Sequence, residues 1–269
     1  MKRIIVCVFA VSCLYMFPSC GGGNKSGNAS GNVAVTEVDI AQQLWSELDL
    51  ASAPNTLAAK EQQAGWKLIF DGVSHNGWHG YNTPGEIPEV WAVEDGCITP
   101  NSTGGGEEQD LVTDGIYRNF AFSVEYRMSP GSNSGIIYHL KEDTALYTFA
   151  YETGPEFQLN DDSNRPEENR LQGVQSHGAN YGMYAPSSTP SKAGEWNRMM
   201  LICKDNEVIH LINGIEVVRF TKYSDEWQKL RDSGKWVDFP DYGKYDEGHI
   251  SLQNHGAKLW FRNVKIKQL

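Results

Sequence analysis

The chain has 269 residues, of which 34 are acidic and 23 are lysine or arginine, so its formal net charge is −11. No cluster of basic residues stands out, and this composition argues against a nucleic-acid-binding surface. The eight tryptophans and twelve tyrosines are many for this length, and such rings either bind sugars or fill the core of a β-sandwich.

The N-terminus resembles a bacterial secretory signal. Lys2-Arg3 precedes an apolar run from Ile4 to Phe17, and Ser19-Cys20 follows. The run is shorter than the roughly 20 residues that a bilayer-spanning helix needs. We therefore expect residues 1–19 to be a lipoprotein signal peptide and Cys20 to carry the lipid anchor, with a plain cleaved signal as the alternative. The absence of an acidic residue directly after Cys20 favours a position in the cell envelope that faces the periplasm.

Residues 20–55 are predicted to be a flexible tether and linker, because their first part consists mostly of Gly, Asn, Ser and Ala. Within this segment, Ile40 to Leu48 has the pattern of a short amphipathic helix. Thr56 is a candidate N-cap for a second helix over Leu57 to Gln63. Both helices are expected to be peripheral. Residues 56–269 then form one domain, since a β-sandwich of this size is common.

The clearest strand lies between Phe120 and Met128, where every even position is apolar and the odd positions include Glu125 and Arg127. This alternation predicts a strand with one buried face. Similar alternation recurs at Glu156 to Asn160 and at His249 to His255. Each of these three strands therefore has a row of polar side chains that suits ligand binding.

Other strands are predicted from short apolar runs at Trp66 to Phe70, Trp91 to Val93, Ile136 to Leu140 and Val208 to Phe220. Within the last of these, Asn213-Gly214 indicates a type I′ hairpin. The one interior helix runs from Ser224 to Arg231, with Ser224 as its N-cap. So many strands with so little helix indicate an all-β fold in which two antiparallel sheets pack face to face.

Two long connections interrupt the strands, Asp161 to Glu195 and Thr221 to Glu247. Long loops in compact domains are usually functional, and we expect these two to rim one mouth of the sandwich. His177, on the first connection, is expected at the surface. Two cysteines lie outside the leader, Cys97 and Cys203, and a single disulfide and two buried free thiols are equally consistent with the sequence.

Short motifs in a fixed order resemble a known family. They are Gly65-Trp66, Phe70-Asp71-Gly72, Gly77-Trp78, Trp91-x-Val93-Glu94-Asp95-Gly96, Asn133-Ser134-Gly135-Ile136, Glu156-Phe157-Gln158, Gly194-Glu195-Trp196-Asn197, Asn213-Gly214, Gly248 to Gly256 and Phe261-Arg262-Asn263-Val264. Together they are similar to the 3-keto-disaccharide hydrolase domain of Bacteroidetes envelope proteins, over residues 56 to 269. The resemblance implies a concanavalin A-like jelly-roll β-sandwich with a carbohydrate site on one sheet, and activity on glycosides oxidised at C3.

That chemistry would explain why the three predicted strands have rows of polar side chains. A ketone at C3 makes the C2 hydrogen acidic, so a base can remove it and the enolate can expel the C1 substituent. Such a site needs a base, hydrogen-bond donors for the enolate oxygen and an acid for the leaving oxygen. Glu156 and His255 are the candidates for proton transfer. The candidates for substrate binding are Glu125, Arg127, Asn133, His139, Gln158, Tyr184, Gln253 and Arg262.

Several alternatives remain open at this stage. No cofactor or metal is predicted, although His139, Glu156 and His255 would form a two-His, one-carboxylate set if the fold brought them together. An ordinary retaining glucanase needs two carboxylates about 5 to 5.5 Å apart, and Gln158 occupies the position where the partner of Glu156 would stand. A non-catalytic sugar-binding module would keep the rings and amides alone. An enzyme of this family would depend on an oxidoreductase to supply its 3-keto sugar.

Overall fold

Apolar side chains at alternate positions form the longer β-strands of the described residues. The structure is a computed structural model that describes residues 39–101 and 109–269. Its strands are β1 (Lys67–Leu68), β2 (Trp78–Gly80), β3 (Trp91–Glu94), β4 (Cys97–Pro100), β5 (Leu111–Thr113), β6 (Phe120–Met128), β7 (Asn133–Leu140), β8 (Glu156–Asn160), β9 (Asn197–Lys204), β10 (Glu207–Ile212), β11 (Ile215–Thr221), β12 (His249–Leu252) and β13 (Leu259–Gln268). The α-helices are α1 (Ile40–Glu47), α2 (Ala59–Gln63) and α3 (Asp225–Arg231).

The described strands form two antiparallel sheets. The large sheet has the order β11-β10-β9-β6-β13-β4-β3, with β1 also paired to β13, and the small sheet has the order β2-β5-β12-β7-β8. Every strand pair in both sheets is antiparallel. The prediction of an all-β, jelly-roll β-sandwich is therefore confirmed.

The core lies between the two sheets and follows the predicted alternation. Val124 and Tyr126 of β6 belong to the same buried cluster as Ile136 of β7 and as Phe157 and Leu159 of β8. Because neighbouring residues of a strand point to opposite faces, the polar residues of β8 lie on the outer face of the small sheet. This outer face carries the candidate site.

Many of the tryptophan and tyrosine rings pack in or against the core and do not face a ligand site. Trp78, Trp91, Trp236 and Tyr242 are buried in the core cluster, whereas Tyr81, Tyr181 and Tyr184 are half-buried. Rings of this size make large apolar contacts, so their burial supplies much of the core. Of this group, only Tyr181 lines the cavity described below.

The folded part begins earlier than predicted, because α1 is not part of a tether. Ala41 and Leu44 of α1 are buried with Leu48 against Met200 and Ile202 on the outer face of the large sheet. The apolar stripe that predicted the helix is thus the surface that fixes it to the sheet. Residues from Asp39 onward therefore belong to the folded unit, and the predicted linker boundary at residue 55 is wrong.

The helix caps were predicted with mixed success. Ser224 caps α3 as expected, since its side chain accepts a hydrogen bond from the backbone N–H of Trp227. Thr56 does not cap α2, which begins after Ala58. The acceptor for the Ala58 backbone N–H is instead the carboxylate of Glu61, at 2.9 Å. A carboxylate near a helix N-terminus satisfies free donors in the same way as a hydroxyl cap.

The structure tests two local predictions about the strands. Asn213 and Gly214 have φ values of 52° and 82°, as the predicted type I′ turn requires. Strand β12 ends at Leu252, so Gln253 and His255 lie beyond the strand that the sequence placed them on. They follow it as an irregular extension beside β7.

The two described cysteines, Cys97 and Cys203, are buried free thiols, which decides between the two alternatives left by the sequence. The predicted signal peptide and Cys20, the predicted site of lipid attachment, lie outside the described residues. Among the helices of residues 39–101 and 109–269, none has the length and apolar character to cross a bilayer.

Candidate active site

A cavity of about 230 Å³ lies on the outer face of the small sheet and contains the predicted proton-transfer pair. Asn133 of β7, together with Glu156 and Gln158 of β8, lines one side. Gln253 and His255, on the extension of β12, line another. The fold thus brings together five of the predicted site residues, and we call this cavity the Glu156 pocket.

The remaining walls come from connections between strands. Tyr151 lies between β7 and β8, Arg165 and Tyr181 lie on the first long connection, and Lys235 lies on the second. Both long connections thus contribute to one pocket, but this pocket lies on the outer face of the small sheet and not at a mouth of the sandwich, as was predicted. The ammonium of Lys235 lies 4.5 Å from the ring centroid of Tyr181 and 4.9 Å from that of Tyr151. These cation–π contacts hold a positive charge at the rim of the pocket.

The position of the Glu156 carboxylate depends on a glycine of the neighbouring strand. Gly135 of β7 pairs with Gln158, and Ile137 pairs with Glu156. A Cβ atom at Gly135 would overlap Oε1 of Glu156 and would lie 2.7 Å from its Cγ. The carboxylate therefore lies directly over the backbone of β7, in space that only a glycine leaves open.

Hydrogen bonds orient the neighbouring amides. Gln158 Nε2 donates to Asn133 Oδ1 at 2.7 Å. The backbone N–H of Gln253 donates to the Gly135 carbonyl at 2.9 Å, and the Gln253 carbonyl accepts from the Ser134 hydroxyl at 2.7 Å. These bonds continue the β12–β7 pairing past the end of the strand, so the chain directs His255 towards Asn133.

The charges in the pocket are mixed, with one described carboxylate beside two permanent cations. Arg165 and Lys235 both line the pocket that contains Glu156. Burial, and then the negative charge of Glu156, raises the pKa of the Tyr181 hydroxyl. Tyr181 is therefore protonated at neutral pH and available as a hydrogen-bond donor.

Three predicted binding residues lie elsewhere, on the outer face of the large sheet. The carboxylate of Glu125 accepts hydrogen bonds from Arg198 and from Arg262, the latter at 2.7 Å. The guanidinium of Arg262 lies 3.8 Å from the ring centroid of Trp196, and that of Arg127 lies 4.4 Å from the ring centroid of Trp260. Alternation showed that these side chains share a face, but it did not show which sheet they belong to.

His139 and Tyr184 also lie outside the pocket. His139 is 2% exposed, its Nε2 donates to the Arg118 carbonyl at 2.9 Å, and its ring packs on Phe120. Burial lowers the pKa of His139 to about 3, so its ring is neutral. Tyr184 stacks on Phe220, with ring centroids 4.6 Å apart. Both residues were predicted to bind substrate, but the side chains of both pack against other rings of the protein.

The two-His, one-carboxylate metal set does not form, because His139 is engaged in the core. Within the residues that the structure describes, no group of three or more His, Cys, Asp or Glu side chains could hold a metal ion. His177 is 7% exposed and not at the surface as predicted. It is held between the Tyr126 hydroxyl and the Asn160 backbone N–H.

Sequence reasoning missed Tyr151, Arg165, Tyr181 and Lys235 as site residues. The long connections were marked as functional, and they contain Arg165, Tyr181 and Lys235. However, loop residues follow no periodicity, so the sequence carried no signal for which side chains point inward. Only the path of the folded connections selects them.

The chain is similar to a known protein family and to solved structures. Residues 65–267 match the family described as the 3-keto-alpha-glucoside-1,2-lyase-like domain. A 3-keto-disaccharide hydrolase of Bacteroides thetaiotaomicron is 30% identical to the chain over 100% of both sequences. A crystal structure from Parabacteroides distasonis, provisionally assigned as a glycosyl hydrolase, is 38% identical with a TM-score of 0.74, covering 81% of this chain and 100% of that one.

A second structure from Parabacteroides distasonis shares the fold. It is 24% identical with a TM-score of 0.57, and the match covers 76% of this chain and 99% of that one. With the family match extending over most of the chain and the relatives aligned along their full lengths, this protein belongs to the family of 3-keto-alpha-glucoside-1,2-lyase-like domains.

Proposed function

We propose that the Glu156 pocket cleaves the glycosidic bond of 3-keto-glycosides by removing the C2 proton and eliminating the C1 substituent. The observation that carries the proposal is the presence of Glu156 and His255 in one cavity beside Lys235 and Arg165. The family, and the relative named a 3-keto-disaccharide hydrolase, support the substrate class.

Glu156 acts as the base in the first step. Its carboxylate takes the C2 proton, and the electrons of the C2–H bond form an enolate across C2 and C3. Negative charge then develops on the C3 oxygen. Lys235 and Arg165 provide the positive charge that stabilises it, and fixed charges of this kind are worth more in a partly dry cavity than in water. Gln158 and Asn133, which are already oriented by their mutual hydrogen bond, bind hydroxyls of the ring.

His255 acts as the acid in the second step. The enolate re-forms the C3 carbonyl and makes a double bond between C1 and C2, while the bond from C1 to the leaving oxygen breaks. His255 donates a proton to that oxygen. Its side chain is exposed at the rim, where a leaving group can depart. Addition of water across the C1–C2 double bond then gives net hydrolysis and a free 3-keto sugar.

The double-displacement route of ordinary retaining glycosidases fits the described pocket poorly. That route needs a second carboxylate close to the first, and Glu156 is the sole carboxylate among the described residues that line the cavity. The nearby Glu152 instead accepts hydrogen bonds from the backbone N–H groups of Thr148 and Phe149, both at 2.8 Å. Its carboxylate is used to fix the turn before β8.

The test compares wild type with Glu156→Gln on a 3-keto-glucoside with a detectable aglycone. Loss of a general base typically costs about 10²- to 10⁴-fold in rate, so aglycone release should fall in that range. The exposed Glu195→Gln is the matched control and should keep wild-type turnover. A substrate deuterated at C2 should react more slowly than the unlabelled one.

Three results would contradict the proposal. Full turnover by Glu156→Gln would remove the carboxylate from the mechanism. Equal cleavage of the unoxidised glucoside would indicate an ordinary glycosidase. Binding of 3-keto-glycosides without any turnover would indicate a non-catalytic carbohydrate-binding protein.

We also propose that the mature protein is attached to the cell envelope through a lipid on Cys20, facing the periplasm. The support is the sequence of the leader, with its basic start, apolar run and Ser19-Cys20. Cys20→Ser should move the protein from the membrane fraction to the soluble periplasmic fraction, and an unchanged distribution would contradict the anchor. The ketone of the substrate must be installed by a separate oxidoreductase that oxidises C3 of a glycoside.

A further inference from the structure

A cavity of about 320 Å³ lies on the outer face of the large sheet, the face opposite to the one that carries the Glu156 pocket. Arg262 of β13 and Trp196, which precedes β9, line it together with Trp45 of α1 and Leu50. We call it the Arg262 cavity. Its volume is at the lower end of the range for small-molecule sites, about 300 to 1,000 Å³. The proposed reaction uses none of its residues.

The guanidinium of Arg262 is held in place on one side only. Its Nε donates to Glu125 at 2.7 Å, and its central carbon lies 3.8 Å from the ring centroid of Trp196. Among the described residues, none bonds to Nη1 or Nη2, and the side chain is 25% exposed. These two nitrogens form the end of the fork that binds a carboxylate through two parallel hydrogen bonds. The cavity therefore contains an oriented arginine with its anion-binding end unused.

The carboxylate of Glu125 does not compete for that end. It accepts a hydrogen bond from Arg198 and another from Asn263 Nδ2 at 3.2 Å, in addition to the bond from Arg262 Nε. Burial alone would raise the pKa of Glu125, but the charge of Arg198 and these bonds outweigh it and the pKa is lowered. Glu125 is thus a permanent anion whose role is to hold the arginines.

The local charge is positive in an acidic protein. Arg127 lies 5.2 Å from the ring centroid of Trp196 and 4.4 Å from that of Trp260. No carboxylate pairs with it in the part of the chain that the structure describes. Together with the two arginines bound to Glu125, it gives three positive charges against one negative charge, whereas the whole chain has a net charge of −11. This surface therefore attracts an anion.

The cavity offers free donors, while its acceptors are in use. The indole N–H groups of Trp45 and Trp196 have no hydrogen-bond partner among the described residues, and neither side chain is buried. In contrast, Asn213 Oδ1 accepts from the Arg198 backbone N–H, and Asn197 Oδ1 accepts from Asn213 Nδ2. Groups with acceptor oxygens are thus the natural partners of this cavity.

The position of α1 favours an anion with one charge. Trp45 and Leu50 flank the C-terminal end of this helix, which carries partial negative charge. That charge opposes a phosphate dianion more strongly than a carboxylate. Leu50, which is 58% exposed, and the two tryptophan rings also offer apolar surface for the C–H face of a sugar. A sugar acid combines the carboxylate with such a face.

We propose that the Arg262 cavity binds a uronic acid. Its carboxylate lies on the Nη1 and Nη2 groups of Arg262, and its hydroxyl oxygens accept from the indole N–H groups of Trp45 and Trp196. The ligand is a residue of an acidic glycan, so the site attaches the protein to an acidic polysaccharide. The inference goes beyond the proposed function and does not depend on it, because the two sites share no residue.

The experiment titrates the protein with D-glucuronate and with D-galacturonate and follows the tryptophan indole N–H signals by NMR. Three comparison ligands separate the contributions. Glucose has the ring without the carboxylate, acetate has the carboxylate without the ring, and glucose 6-phosphate carries a dianion. At least one uronate should bind about tenfold or more tightly than each comparison ligand, because hydrogen bonds to charged groups are the stronger kind.

Two variants test the residues. Arg262→Gln should weaken uronate binding by about 10- to 100-fold. Because this change also removes a bond to Glu125, Trp45→Phe provides an independent check: it keeps a ring, lacks the indole N–H, and should weaken binding about 2- to 10-fold. Arg219→Gln is the matched control, since Arg219 belongs to the same sheet and pairs with three carboxylates. It should bind uronate as wild type does, and thermal unfolding shows that each variant is folded.

Selective binding of a uronate that both Arg262→Gln and Trp45→Phe weaken would support the site. Comparison ligands that bind as tightly as the uronates, or uronates that do not bind saturably, would overturn it. Wild-type affinity in Arg262→Gln or in Trp45→Phe, or an equal loss in Arg219→Gln, would overturn it as well. Turnover of a 3-keto-glucoside is measured separately, and its outcome decides only the proposed function.

Discussion

Glu156 lies where it does because position 135 has no side chain. Its carboxylate occupies the volume that a Cβ atom on the neighbouring strand would take. Gly135 does not have a positive φ, so its role here is space and not backbone conformation. A residue without any functional group thus determines the position of the carboxylate that we propose as the base.

Gly135→Ala should therefore impair catalysis more than stability. The added methyl group would displace the Glu156 carboxylate, and a misplaced general base costs about 10²-fold or more in kcat. Kinetics on a 3-keto-glucoside and thermal unfolding measure the two effects separately. Gly85→Ala is the control for backbone strain. Its φ of 83° makes the substitution strained, but its Cβ would meet no atom within 4 Å, so it should affect stability and not kcat. If Gly135→Ala kept wild-type kcat, the geometry argued above would be wrong.

Single residues also show what the sequence could not supply. His139 and His255 are both histidines near the polar end of a predicted strand, yet one is buried against Phe120 and the other lines the pocket. The difference arises from a positive φ of 53° at His139 and from pairing opposite an irregular stretch of β12. Such bulges change the face to which a side chain points, and periodicity alone does not reveal them.

At the scale of elements, α2 is attached to the large sheet by an ion pair without solvent contact. Lys265 Nζ of β13 lies 2.7 Å from both carboxylate oxygens of Glu61, and both side chains are 0% exposed. Glu61 also accepts from the backbone N–H groups of Asp49 and Ala58. Burial alone would raise the pKa of Glu61, but these bonds outweigh it and the pKa is lowered.

Glu61→Gln should destabilise the protein by about 3 to 5 kcal/mol, because it leaves the charge of Lys265 buried without its counter-ion. The pair stabilises the fold above the unfolded pKa of about 4.3, and this contribution is lost as pH falls through the lower folded value. Urea unfolding at pH 7 and at lower pH measures both effects. Glu94→Gln, which breaks the exposed pair with Lys258, should cost less than about 1 kcal/mol. Equal losses in the two variants would contradict the argument.

A histidine between two carboxylates fixes the connection that carries Tyr151. His79 of β2 contacts Asp114 through Nδ1 at 2.6 Å and Glu142 through Nε2 at 2.9 Å. Glu142 belongs to the connection between β7 and β8, and its second oxygen accepts from the Asn82 backbone N–H at 2.6 Å. Burial opposes protonation of His79, but the two carboxylates outweigh it and the pKa is raised.

The stability that His79 provides should therefore depend on pH. It is fully present below the unfolded pKa of about 6.5 and is lost as pH rises through the higher folded value. The unfolding free energy of wild type relative to His79→Gln should fall across that window, and NMR titration should place the His79 pKa above that of a free histidine. A difference that stays constant from pH 6 to pH 9 would contradict the raised pKa.

At the scale of the whole molecule, two sets of polar residues lie on opposite outer faces of one sandwich. Alternation in β6 and β8 predicted both sets correctly as non-core, and the strands themselves were largely placed by the sequence. Their separation could not be predicted, because it depends on which sheet each strand joins. Glu125 therefore pairs with two arginines on the large sheet. Glu156, in contrast, lines the candidate site on the small sheet.

The state of the cysteines has a practical consequence for the whole molecule. Cys97 and Cys203 keep their thiols, and burial raises the pKa of both, so neither readily forms the reactive thiolate. The domain formed by residues 39–269 should thus reach its native state in a reducing cytosol. Its melting temperature should be the same with and without dithiothreitol, and a drop on reduction would contradict this. We therefore expect the domain to assemble correctly without export and without an oxidising foldase.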